Sequence, residues 1–289
     1  MSILIKTLLD RIITEFSLPE PKWEAIIINE DDFNFLNEEC NIESDFDPLN
    51  LRKIMFNKMI NGDTCISMNK CEYGQVFVIF ENLAQKCDLP WGLWGRILRL
   101  FTENNKKPFK IFFLASKQLR EFPPDTQQIK PEHINGGYTY RCNPETIVIY
   151  RAEDATRVLI HELQHSCCLD KVKMGVDIIE AETEAWAELF YIAILSQGKK
   201  YIFNDLLQRQ SEWIRKQNSI VKTHMKNIDS MEFPWRYTVG KEEIWNRWGI
   251  LRQDDTRPII HVRNSLRLTY PANNILKERY KVPVKSTII

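Results

Sequence analysis

The chain lacks the features that would assign it to a membrane, to nucleic acid or to a disulfide-stapled class. No run of eighteen apolar residues occurs in its 289 positions, which excludes an ordinary transmembrane span. Net charge is absent. The 39 basic and 39 acidic side chains give no field that gathers polyanions, so no nucleic-acid partner is expected. Glycine is scarce at 10, and neither an internal repeat nor a low-complexity tract is present. The 7 cysteines are an odd number at irregular spacings with no CxxC pair, in a chain too long to need staples. They read as reduced thiols of a cytosol-like compartment. The N-terminal stretch is apolar at helical spacing but broken by Lys6, Asp10 and Arg11, without a basic leader or a small-residue cleavage site. It reads as an amphipathic helix rather than a signal peptide. The expected location is cytoplasmic or otherwise intracellular. The richness in Ile, Asn and Lys suits an AT-rich genome, such as that of a large virus or a protist.

What is present points to a folded globular chain. Apolar residues make up 44% of the total, with 8 Trp and 15 Phe, enough for a sizeable core in one large or two small domains. Charge is polarised along the chain. Residues 1–50 carry twelve acids against Lys6, Arg11 and Lys22, while residues 256–289 carry seven Lys or Arg against Glu278 alone. The two ends are expected to attract each other. Helical patterns cover 3–16 and 48–60, the second opening at Asp47-Pro48, with a loop-rich acidic stretch at 29–47 between them. Residues 75–80 suit either a strand or a helix start, and 90–95 a joint. Strands are predicted at 109–114, 138–140 and 146–150, then helices at about 155–168 (capped by Asp154), 177–196 and 203–226. The last sixty residues resist assignment.

Chemistry concentrates in His161-Glu162-Leu-Gln-His165. On a helix this spacing sets two imidazoles one turn apart on one face, where both reach a single Zn²⁺, with Glu162 placed to act as general base on a metal-bound water. Zinc hydrolases need a third protein ligand and an open position. On the next predicted helix Glu180, Glu184 and Glu188 recur every four residues among apolar neighbours, so that some of these carboxylates must be compensated on burial. A solvated acidic face is the competing reading.

These residues resemble the gluzincin type of zincin metallopeptidase, in which His-Glu-x-x-His is followed on a later helix by a glutamate ligand. Glu180-Ala-Glu-Thr183-Glu184-Ala-Trp-Ala187 matches one branch, which implies Glu180 as ligand and Glu184 as a brace for a ligand histidine. Another branch, by its eighteen-residue spacing from His165, makes Glu184 the ligand. The first alignment fits at more positions and is preferred. The resemblance covers about residues 108–196. It implies an α+β fold, with a small twisted sheet packed on the motif helix and a helical C-terminal part. Residues 146–150 then form an edge strand that pairs with extended substrate. The expected organisation is a mostly helical region over 1–95 and a zincin-like catalytic domain with a helical extension over 96–289.

The implied activity is zinc-dependent hydrolysis of peptide bonds, with one Zn²⁺ per chain held by His161, His165 and Glu180, Glu162 as base, and a peptide or protein as substrate. The alternative is a catalytically inactive scaffold of the same fold. Tyr237, His261, Arg263 and Tyr270 are oxyanion-stabilising candidates by position alone. Cys167 and Cys168 read as buried free thiols, and the tryptophans of 235–248 as core.

Overall fold

The computed structural model describes residues 2–82, 89–103, 107–170, 172–227, 230–252, 262 and 264–282. The chain forms two compact units, each assembled from separate segments. One contains Pro19–Leu119 and Asn135–Leu169; the other contains Met1–Leu18, Arg120–Ile134 and Asp170–Val282.

The first unit is built on a six-stranded mixed sheet. Its strands are β1 (Glu24–Ala25), β2 (Cys65–Cys71), β3 (Gly74–Phe80), β4 (Phe109–Ala115), β5 (Gly137–Thr139) and β6 (Ile147–Ile149), in the order β1-β2-β3-β4-β6-β5. β3, β4 and β6 run parallel, with β2 and β5 antiparallel to their neighbours. The centre of the sheet is parallel because β3 and β4 are nearly continuous runs of β-branched and aromatic residues, which suit strands covered on both faces. Pairing on both sides also settles 75–80 as a strand. Val76↔Ile111 and Phe77↔Phe112 join sequence on either side of residue 95, so the boundary expected there falls inside one sheet.

Helices α2 (Glu30–Asn41) and α3 (Leu51–Ile60) cover one face. There Leu36, Met55 and Phe56 pack with Phe77, Ile79, Phe112, Leu114 and Val148. The acidic stretch expected as loop is therefore largely helix α2. Asn29 caps it by accepting from the Asp32 N–H (2.7 Å), and Glu30, Asp31 and Asp32 lie in the first turn, where the helix dipole favours acids. Helix α3 starts at Leu51 rather than at Pro48, because Asn50 takes a left-handed φ of 53°. Asp47 still caps it, its carboxylate accepting from the Leu51 and Arg52 N–H groups. Helix α4 (Trp91–Thr102) replaces the expected joint at 90–95 and packs with the motif helix α6 (Ala155–Ser166). Trp94 packs on Phe113 and donates to the Thr156 hydroxyl at 2.9 Å.

The second unit is helical. It contains α1 (Ile3–Ser17), the short α5 (Pro131–Ile134), α7 (Val176–Leu195), α8 (Lys200–Val221), α9 (Phe233–Tyr237), α10 (Val239–Arg247) and α11 (Asn273–Glu278). α7 runs through its core, packed by α1, α8, α9 and α10. Between α7 and α8 the chain turns at Gly198, φ +74°, so close to α1 that a Cβ would lie 2.5 Å from the Ile13 side chain. Trp235 and Trp245 are buried, as expected, whereas Trp248 is half-buried; the Trp245 indole donates to the Ala185 carbonyl. Among the described residues no helix is long and apolar enough to cross a membrane.

Candidate metal centre

The motif occupies α6, a helix buried at every position except His165, which is half-buried. Its apolar residues Val158, Leu159, Ile160 and Leu163 account for this, and the helix packs on β5 and β6. Asp154 precedes it at φ 58° and makes no side-chain cap, contrary to expectation. The helical spacing brings His161 and His165 together, their Nε2 atoms 2.9 Å apart and their rings inclined at 67°. With Glu180, which is half-buried on α7, they are a group that could hold a metal ion. Among the described residues this is the one such cluster, and it can hold a metal ion.

The donor set passes a test of fit. Two neutral imidazoles and a carboxylate are ordinary ligands of a borderline cation and leave a fourth position open. Ligand nitrogens at about 2.1 Å in a tetrahedral site stand roughly 3.4 Å apart. The 2.9 Å separation therefore asks the rings to spread by a few tenths of an ångström, within side-chain rotation.

Glu162 lies between the histidines in sequence and is buried, at 5% exposure. It faces the beginning of β5, where Gly137 leaves room. A Cβ there would lie 2.7 Å from the Val158 Cγ1, 3.0 Å from the Val148 carbonyl and 3.5 Å from Glu162 Oε1. Gly137 is a contributor whose signal in the sequence is the Gly136-Gly137 pair at the opening of the strand expected at 138–140; the structure makes it the first residue of β5. β5, not the strand at 147–149, is the outer strand on this side, which corrects the expected edge at 146–150.

The remaining carboxylates of α7 separate by role. Glu184 is buried at 2% exposure and stands outside the three-residue group. Glu188 is fully buried. Its carboxylate meets the Lys241 ammonium at 3.2 Å and accepts from the Thr269 hydroxyl at 2.6 Å. Tyr237 packs against Phe233, and Tyr270 against Trp213 and the Arg209 guanidinium. His261 and Arg263 lie outside the described residues.

The cysteine expectation needs correction. Cys142 and Cys168 form a disulfide, both at exposed positions, and Cys168 lies beyond the end of α6. Cys40, Cys71 and Cys167 are buried free thiols, and Cys65 is a half-buried one. No protein family, curated protein or solved structure matches the chain.

Proposed function

We propose that the chain is a zinc-dependent metallopeptidase. The observation that carries this reading is the pairing of His161 and His165, their Nε2 atoms 2.9 Å apart, with Glu162 buried between them on the same helix; Glu180 is the third ligand of the proposal. The histidines would hold the ion through Nε2, and Glu180 would balance part of its charge. A bound Zn²⁺ supplies Lewis-acid activation, making water acidic near neutral pH and polarising a carbonyl. Glu162 would accept the proton of the attacking water on its carboxylate and return it to the leaving amine nitrogen. Its burial shields that carboxylate from bulk solvent. An extended peptide suits the site as substrate, since β5 presents an outer strand beside Glu162 and peptides add to such edges through main-chain hydrogen bonds. The resemblance to gluzincins in the motif and in the Glu180–Ala187 signature supports the same reading.

Elemental analysis of purified protein should find one zinc per chain. Glu162→Gln should keep that zinc and lose hydrolysis of unstructured peptides by about 10²–10⁴-fold. A folded protein that takes up no zinc, or a Glu162→Gln variant that turns over normally, would overturn the proposal.

A further inference from the structure

The disulfide is placed around one residue of the metal group. The carbonyl of His165 accepts two backbone hydrogen bonds, one from the Cys142 N–H at 3.0 Å and one from the Cys168 N–H at 3.1 Å. These two residues are the ones whose sulfurs are joined. The covalent link and the two hydrogen bonds thus close a ring on the main chain of His165. Both cysteines hold left-handed backbone, φ 59° for Cys142 and 56° for Cys168, a conformation that L-residues other than glycine, asparagine and aspartate rarely take. Such conformations persist where the surroundings over-determine them. Here the surroundings are the bond itself and the hairpin turn at Asn143, whose N–H bonds back to the Tyr140 carbonyl. Cys167 is not a competitor for exchange, because its Sγ is buried against the Phe101 carbonyl at 3.8 Å.

We propose that Cys142–Cys168 is a thiol-exchange site that sets the metal affinity of the His161, His165 and Glu180 group, an inference that rests on the metal reading above. The reductant would be a dithiol. Its thiolate attacks one sulfur and breaks the S–S bond, giving a mixed disulfide. Its second thiol then displaces the protein sulfur. The protein gains two electrons and two protons as Cys142 and Cys168 thiols, and the dithiol leaves as a cyclic disulfide. Exposure of both half-cystines gives the attacking thiolate access. Once the bond is cut, each cysteine is free to leave the left-handed region and take its N–H away from His165. The last turn of α6 then frays, and His165 loses the orientation that lets it share an ion with His161. Cys142 and Cys168 are positioning residues in this scheme. They act through the His165 backbone.

The test compares four proteins under argon, after removal of any reductant: the oxidised chain, the reduced chain, the reduced chain reoxidised with a cyclic disulfide, and the Cys142→Ser/Cys168→Ser double variant. Zinc alone is titrated against a chromophoric chelator, and hydrogen exchange at residues 163–168 is followed in the metal-free proteins. Reduction should weaken zinc binding by about tenfold or more, the range typical of lost outer-shell support, and should speed exchange at the end of α6. Reoxidation should restore both, and the double variant should match the reduced chain whatever its treatment. Equal zinc affinity and equal exchange in all four would overturn this proposal and leave the metal reading standing. Zinc uptake by none of them would overturn both, and an oxidised chain whose Cys142 and Cys168 alkylate freely would overturn the disulfide itself.

Discussion

Single residues on α7 divide a stripe of acids that is uniform in sequence. Glu180, Glu184 and Glu188 repeat every four residues, and compensation on burial is the reason to suspect them of a shared role. The compensation differs at each position. Glu188 owes its tolerance to the Lys241 ammonium and the Thr269 hydroxyl, partners more than fifty residues away in the sequence. Glu180 alone joins the two histidines. Glu180→Ala should therefore abolish zinc retention through dialysis, while Glu184→Ala should keep one zinc per chain, both read by elemental analysis. The reverse pattern would give the ligand position to Glu184.

At the scale of elements, periodicity located the long helices but not always their ends, since the helix expected at 203–226 is Lys200–Val221 followed by a 3-10 turn to His224. The predicted helices at 3–16, 155–168 and 177–196 match Ile3–Ser17, Ala155–Ser166 and Val176–Leu195 to within two residues. It was a poor guide at 29–47, where acids suggested solvated loop. A capping Asn29 and a favourable dipole make those acids helix-forming, a local effect that composition conceals. Edge and interior strands were equally hidden, since strand order depends on pairing between distant segments. The disulfide was illegible for the same reason, for Cys142 and Cys168 stand 26 residues apart and meet only because β5 and β6 fold back on α6. The two histidines were legible because their spacing is a property of one helix. β5 carries a prediction of its own. With a Cβ of residue 137 set 2.7 Å from Val158 Cγ1, Gly137→Ala should lower stability by about 1–3 kcal/mol, as overpacking does. Adding Val158→Ala should recover part of the loss in denaturant titration.

For the whole molecule, buried proton-bearing groups tie stability to alkaline pH. Burial pushes the Cys40 thiol up from 9.0 to about 12, and burial together with the Glu39 carboxylate raises the Tyr138 hydroxyl. Tyr138 donates to Glu39 (2.5 Å) and accepts from Arg52 (2.6 Å), so its ionisation would break a buried network. Above pH 9 the unfolded chain releases protons that the folded chain keeps, and stability falls as pH rises. Cys40 alone contributes a loss on the order of 2 kcal/mol by pH 11. Unfolding free energy measured from pH 8 to 11 should decline accordingly, and Cys40→Ala should flatten the decline. An unchanged slope in that variant would remove Cys40 as a source.

The interleaving of the two units has a consequence for how the protein is made. Helix α1 leaves the ribosome before the rest of its unit, yet its apolar residues Leu8, Leu9 and Ile12 pack in a unit whose central helix spans Val176–Leu195. At synthesis rates of about 5–20 residues per second, α1 waits on the order of 10–40 s with its greasy stripe uncovered. During that interval the stripe offers chaperones an apolar surface, while the described part of the sheet unit, which ends at residue 169, can close ahead of it.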